Sequence, residues 1–581
     1  MHRYRRRRST GPTILAVSLL TTGLALVPSA YADSVAGPPA RVETQVASSS
    51  PVTKVAESEV QVRIPLPAAV GTHPPACDWL SYLRYRDVNG PAASADADKI
   101  LIAQPGILAG AGSFDSVARN TVAAAAATGK HIEFWALDRR SNCLEDHTGI
   151  DAGRAAGSAE VAVDYYYNHK AINGKTFAGY YNNSNNAWLG KIGIEQTVED
   201  EYNLMVAELP DQSVRKQKVL CGGHSLGGTI TGFFATWDFN GQAGADQCSG
   251  YFALDTTIST SRSGATAMAA AALPDPGSGY DSTQAGLADG SISRSIDLPA
   301  VINPQTLNTL GIAGLGALLA PNAPSVLTAR VPADFNVDTT FRVLFSRDLL
   351  TALTGSTSIR QFRLTNDAFL GGLFDNNSEP LALLQASLGF FGGGPVVDKD
   401  FPLPFEITDL PILKPVASSL FGPDRKAIPA VPDGPLYTWR NYNSIGAPGE
   451  PVATSRDGRP FTTPADEVTD IHELARSLAE QPLDFAEQYF PTKIVTDLSQ
   501  AGAPQISSHL VHPDGIAANP TINLLGGKGL VVGGAGTVPA GNTVIAPGYH
   551  HLDVITAAPV QNNAQPELLS TKLAQFAATT Q

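Results

Sequence analysis

Cys221-Gly222-Gly223-His224-Ser225-Leu226-Gly227-Gly228 is the stretch whose reading decides the fold. Its middle, Gly223 to Gly227, has the pattern G-x-S-x-G. Residues 216–220 (KQKVL) read as a short buried strand, and residues 229–237 (TITGFFATW) read as an apolar helix. Strand, sharp turn and helix in this order hold a serine in a strained turn with its hydroxyl presented above a sheet. Gly223 and Gly227 suit a turn in which neighbouring backbones pass close to the serine. The helix start behind Ser225 offers N–H groups and a positive dipole end to a developing oxyanion.

Outward from this stretch, strands alternate with helices. Residues 60–64 and 99–103 read as strands, 113–128 as a helix and 131–137 as another strand. Helical stretches follow near 152–168 and 194–208, and Gly250-Tyr251-Phe252-Ala253-Leu254-Asp255 reads as the strand after the central helix. This rhythm predicts an α/β fold, a mainly parallel sheet with helices on both faces. Residues 261–460 break it with Gly- and Pro-punctuated apolar segments, and read as a large inserted cap or lid. The expected core is therefore split between 60–260 and 461–581. In the second part, Thr463 and Pro464 read as N-cap and first residue of a helix carrying Val468, Ile471, Leu474 and Leu478.

The N-terminus places five arginines before an apolar run and ends it with Ala30-Tyr31-Ala32, the pattern of a secretory signal peptide over residues 1–32. Residues 33–59, rich in Ala, Val, Ser and Pro, read as a flexible leader. The expected location is outside the cytoplasm, secreted or in the cell envelope, after cleavage near Ala32. Cleavage removes five positive charges from a chain whose formal charge is already −14. Such an acidic chain has no electrostatic case for nucleic acid as a partner. Cys77, Cys143, Cys221 and Cys248 can form up to two disulfides there. A Cys221–Cys248 pair looks poor, because Cys221 appears at the end of one strand and Cys248 before the start of the next.

A serine nucleophile needs a base, an oxyanion hole and usually an orienting acid. Among the late histidines, His550 and His551 stand out in Gly548-Tyr549-His550-His551-Leu552-Asp553, which follows a glycine and opens an apolar stretch. His472 reads as a helix surface residue, and His509 and His512 as parts of a polar loop. Gly223–Gly227, Gln104-Pro105-Gly106-Ile107-Leu108-Ala109 and Tyr549–Asp553 together resemble three motifs of the acid lipases of the α/β-hydrolase superfamily. In that family a Gln-His-Gly-Leu-Leu-Ala stretch supplies an oxyanion N–H, and Tyr-Asn-His-Leu-Asp contains the catalytic histidine. The resemblance implies His551 as base, Ser225 as nucleophile, and the backbone N–H groups of Ile107 and Leu226 as the oxyanion hole. It also implies that His550 tolerates substitution.

The acid departs from the family. A Gly-Gly-x-Asp pattern is expected before the histidine, but Gly526-Gly527-Lys528-Gly529 carries glycine in the Asp position, and no Asp or Glu occurs from Gly515 to Leu552. Asp255, thirty residues after Ser225 at the carboxyl end of its strand, is the expected replacement. Asp497, after Lys493-Ile494-Val495-Thr496, is the alternative if those residues form a strand. The expected chemistry is a serine carboxylester hydrolase of lipase or esterase type that needs no cofactor and no metal. Its substrate would be a small-molecule or lipid-like ester with a hydrophobic part, met in solution or at a lipid interface. An amidase or peptidase, a polyester depolymerase or thioesterase, and a non-catalytic binding protein built on the same fold are the competing readings.

Overall fold

The computed structural model describes residues 39–261, 279–297 and 302–580, apart from the single positions 333, 357, 451, 535 and 537. The expected signal peptide (1–32), its cleavage site and the start of the leader lie outside the described residues. One sheet is built from β1 (Arg41–Val46), β2 (Val55–Arg63), β3 (Trp79–Asp87), β4 (Lys99–Gln104) and β5 (Ile132–Leu137). It continues with β6 (Val219–His224), β7 (Gly250–Leu254), β8 (Thr521–Gly526) and β9 (Asn542–Ala546). Their order across the sheet is β1-β2-β3-β5-β4-β6-β7-β8-β9. From β5 to β9 every neighbouring pair is parallel, while β1, β2 and β3 join at one edge by antiparallel pairing.

The helices used below are α1 (Asp115–Ala126), α2 (Ile194–Glu208), α3 (Leu226–Thr236), α4 (Pro304–Leu319) and α5 (Phe335–Phe345). Four more follow: α6 (Asn366–Phe374), α7 (Ile471–Ala479), α8 (Thr492–Ser499) and α9 (Leu568–Thr579). β4 shows why the sheet needs cover on both sides. Ile100 and Ile102 enter one apolar core with residues of α2 and α3, whereas Leu101 and Ala103 enter the other with residues of α1 and α9. Side chains alternate along a strand, so apolar residues at both parities require helices on both faces. The segment between β7 and α7 adds α4, α5, α6 and a three-stranded sheet of Arg363–Leu364, Gly389–Gly392 and Leu436–Asn441. Ile312, Phe341 and Phe369 of these helices belong to the same core as Leu101 and Leu254. The insert and one face of the sheet therefore share a continuous apolar interior.

Four expectations need correction. Residues 39–59 are not a loose leader: they supply β1 and most of β2. β1 is an edge strand without a buried apolar side, so it shows no apolar alternation; its ladder to β2 and the ion pairs Arg41–Glu208 (2.9 Å) and Arg84–Glu43 (3.1 Å) hold it. Cys221 and Cys248 do form a disulfide, beside Cys77–Cys143. Cys221 lies early in β6, which runs on to His224, and Leu220 stands opposite Gly250 of the adjacent β7, so both cysteines lie toward the same end of the sheet. The helix expected from Thr463 begins at Ile471, capped by Asp470, whose side chain accepts the His472 N–H at 2.9 Å. Val468 and Thr469 instead give their N–H groups to the Ser387 carbonyl of the insert. Finally, Lys493–Asp497 lies in helix α8 rather than in a strand.

Candidate active site

β6 ends at His224 and α3 starts at Leu226, so Ser225 alone makes the turn. Its backbone has φ 54° and ψ −119°, a left-handed conformation that non-glycine residues adopt only under constraint. The constraint is close packing: a Cβ on Gly227 would sit 2.0 Å from the Gln104 carbonyl oxygen, so no larger residue fits. The Ser225 N–H donates to the Leu254 carbonyl at 3.1 Å, tying the turn to the end of β7. Asp255 follows immediately, also at positive φ (43°).

The parallel register then brings Asp255 and His551 together. β8 lies beside β7, and the loop after β9 carries His551. Asp255 Oδ2 accepts from His551 Nδ1 at 2.6 Å. The same carboxylate accepts the Gly526 N–H at 3.1 Å and the Leu530 N–H at 2.8 Å, so backbone donors fix its direction. All three side chains, Ser225, His551 and Asp255, are buried, and Ser225 Oγ has no hydrogen-bond partner among the described residues. A serine whose proton is not committed elsewhere is open to the imidazole once a substrate arrives.

Gly529 explains the departure from the acid-lipase pattern. A Cβ at this position would lie 2.4 Å from both carboxylate oxygens of Asp255. The acid of β7 and a side chain at 529 would fill the same space. Asp497 does not reach this site: its carboxylate is taken by Lys493 (2.7 Å) and by the Ile194 N–H (3.1 Å).

The segment carrying Ile107 passes directly beside the serine. A Cβ on Gly106 would be 3.2 Å from Ser225 Cβ, and Leu108 next to Ile107 has φ 57°. Arg139 holds this segment from below. It donates to the carbonyls of Pro105, Gly106 (3.0 Å) and Ala109 (3.1 Å) and pairs with Glu487 (2.6 Å). Ile107 itself lines the cavity beside Ser225. Leu226 is buried as the first residue of α3.

Two further residues shape the surroundings of His551, and of these His224 was given no role by sequence reading. His224 Nε2 donates to the His551 carbonyl at 3.1 Å, and the two rings lie 4.4 Å apart. Burial, and then the neighbouring His551, push the His224 pKa well below its usual value, so it stays neutral beside the base. Asp553, the last residue of the Tyr549–Asp553 motif, accepts from the His550 N–H (2.7 Å), the Ser387 N–H (2.8 Å) and Thr469 Oγ1 (2.7 Å), fastening the histidine loop to the insert.

His550 has partners that the motif does not foretell. It is fully buried, with Nε2 2.5 Å from Asp424 and Nδ1 2.8 Å from Ser387 Oγ. Lys528 stands 3.0 Å from Asp424 on the other side, and Asp553 faces the ring at 3.4 Å. Burial alone would lower the His550 pKa, but the Asp424 charge and hydrogen bond outweigh it and raise it; Asp424 is held far below the carboxylate range. The imidazolium therefore stabilises the fold fully below its unfolded value of about 6.5, and this contribution is lost as pH rises through the raised folded value. Asp424 contributes above the ordinary carboxylate range, near 4, and loses its contribution as pH falls. Tm is expected to peak in mildly acidic solution and to fall on the alkaline side. His550→Gln should lower the peak and flatten the alkaline fall; an unchanged slope in that variant would place the titrating group elsewhere.

Above Ser225 opens a largely apolar cavity. Ile107, Ser225 and His551 form its floor, and Leu307, Leu310, Val343, Leu373, Phe374 and Leu383 of the insert form its apolar walls. Glu379 also lines it; burial pushes this carboxyl up to about 7, so a neutral form is available beside an apolar guest. Of the other late histidines, His472 is half-exposed beside Asp367, His509 stacks on Trp237, and His512 pairs with Asp238 at 3.0 Å; none reaches the cavity.

No family model matches this chain. Nor does any curated protein match it. Among solved structures, a lipase in its open form aligns with 12% identity over 43% of this chain, at a TM-score of 0.16. The match spans 57% of that lipase, little more than half its length. A likeness this low carries no argument about activity, so the functional reading rests on the site itself. The chain stands as a mixed α/β protein with a mostly parallel sheet.

Proposed function

We propose that this protein is a serine carboxylester hydrolase of the α/β-hydrolase type, acting on esters with a hydrophobic acyl or alcohol part. The observation that carries the reading is the Asp255–His551 hydrogen bond beside a strained Ser225 at the floor of an apolar cavity. Ser225 Oγ attacks the ester carbonyl while His551 Nε2 takes its proton. Asp255 holds the Nδ1–H tautomer and stabilises the imidazolium that forms. The N–H groups of Ile107 and Leu226 receive the developing oxyanion, the second aided by the start of α3. His551 then returns the proton to the leaving alcohol; it next takes a proton from the water that attacks the acyl-enzyme and gives that proton to Ser225 Oγ as the acid departs.

The signal-like N-terminus and two disulfides suit an oxidising compartment, so we place the mature protein outside the cytoplasm. Among the described residues no helix is long and apolar enough to cross a membrane. The insert exposes Phe335, Leu350, Leu353 and Ile412, which suits contact with a lipid interface.

The reading is tested by a fluorophosphonate probe. Labelling should occur at Ser225 and disappear in Ser225→Ala; an unlabelled wild-type protein would leave the serine unactivated and the proposal wrong. The apolar walls set the expected specificity. Across p-nitrophenyl esters, kcat/KM should rise with acyl length over the first several carbons, each buried CH₂ contributing up to about 0.8 kcal/mol. A preference for acetate over every longer acyl group would contradict an acyl role for the cavity.

A further inference from the structure

A second cluster lies away from the Ser225 cavity. Glu145 and His147 follow β5, and Asp484 follows α7; one ligand atom from each comes within 4.8 Å of the other two. His147 Nε2 is 3.3 Å from Asp484 Oδ2 and 3.7 Å from Glu145 Oε2. Neither His147 Nε2 nor Glu145 Oε2 makes a hydrogen bond, although both atoms are buried. The Glu145 side chain is only 1% exposed. Its other oxygen accepts the Gln488 N–H at 2.7 Å, which aims Oε2 into the cluster. A buried carboxylate oxygen without a donor is costly, and in a native fold it calls for a ligand or a proton.

We propose that Glu145, His147 and Asp484 bind one divalent transition-metal ion of the zinc type. The donor set is one imidazole nitrogen and two carboxylates, a combination that zinc accepts and that calcium, which takes oxygen ligands, does not favour. Tetrahedral Zn²⁺ with ligands at about 2.0–2.2 Å holds its ligand atoms roughly 3.3–3.6 Å apart, close to the spacings around His147. Two carboxylates and a neutral imidazole also balance the charge of one divalent ion. A cleft lined by Glu145 and His147 together with Lys175, Tyr181 and Gln488 gives the ion an entry path.

The place of the cluster gives the ion a structural task. The Asp484 carbonyl accepts the Gly112 N–H at 3.1 Å, and the Phe485 carbonyl accepts the Gly110 N–H at 2.9 Å. Glu487 N–H returns a bond to the Leu108 carbonyl at 2.9 Å. The loop that carries Asp484 is thus the support of the Ile107 segment, and a metal would tie that support to the chain after β5. This inference does not depend on the proposed reaction, because its test reads metal binding and not ester hydrolysis.

The purified protein, stripped with EDTA and dialysed, is titrated with zinc chloride by calorimetry, and bound metal is counted by mass spectrometry. One zinc per chain and a Tm raised by several degrees are expected, with calcium giving neither. Glu145→Gln and His147→Ala should each weaken zinc binding by roughly tenfold or more with unchanged circular dichroism, while His472→Ala leaves it intact. The wild-type titration decides even where a variant fails to fold. No stoichiometric uptake, a preference for calcium, or equal uptake by the folded variants would overturn the site; the cluster would then be a proton-sharing network.

Discussion

Ser225→Ala is expected to lower kcat for ester hydrolysis by about six powers of ten, as loss of a triad nucleophile does elsewhere. Its effect on stability should be nil or slightly favourable. Ser225 Oγ is buried and makes no hydrogen bond, so removing it loses no interaction and relieves a buried polar atom. The Cβ remains, and with it the strain of φ 54°. The pair of readouts therefore separates a catalytic serine from a structural one: kcat collapses while Tm holds. His551→Ala should cost a similar factor, and the double variant little more, because residues that act as one unit are not additive. Near wild-type turnover by Ser225→Ala would end the hydrolase proposal.

Asp255→Asn should cost about four powers of ten in kcat, with KM little changed. The carboxylate accepts three hydrogens, from Gly526, Leu530 and His551. An amide has one acceptor oxygen, so its NH₂ must face a donor, and the histidine loses either its tautomer or its orientation. Asp497→Asn is the matched control. It should leave kcat alone and lower Tm, since it deprives the half-buried Lys493 of its partner. Gly529 supplies a further test of where the acid stands. Gly529→Asp alone should be destabilising, because its side chain would meet the Asp255 carboxylate at 2.4 Å. Asp255→Gly combined with Gly529→Asp removes that collision and should recover activity over Asp255→Gly. Equal loss in Asp255→Asn and Asp497→Asn, or a kcat effect confined to Asp497→Asn, would refute the assignment of Asp255.

By itself the sequence determined whatever is local or periodic. G-x-S-x-G between a strand and a helix specified the turn at Ser225, because a serine there needs small neighbours within two residues on each side. The apolar runs at 99–103, 132–137 and 250–254 specified a sheet covered on both faces, because burial on both sides erases alternation. Other features were legible only in the tertiary structure. β1 is held by a ladder and ion pairs with residues far along the chain, so its own composition reads as loose. The start of α7 was misread because the N–H groups of Val468 and Thr469 go to Ser387, some eighty residues earlier. The Cys221–Cys248 bond followed from the side-by-side placement of β6 and β7, which no spacing of cysteines encodes. The sequence ranked Asp255 above Asp497 only by its place at the end of a strand; the structure adds that Asp255 hydrogen-bonds His551 and that a side chain at 529 would collide with it. Arg139 and the Glu145–His147–Asp484 cluster carry no motif at all, and His224 fills an unspecified position of one. Their partners lie on other strands and loops, and chemistry assembled across such distances exists only once the chain has folded.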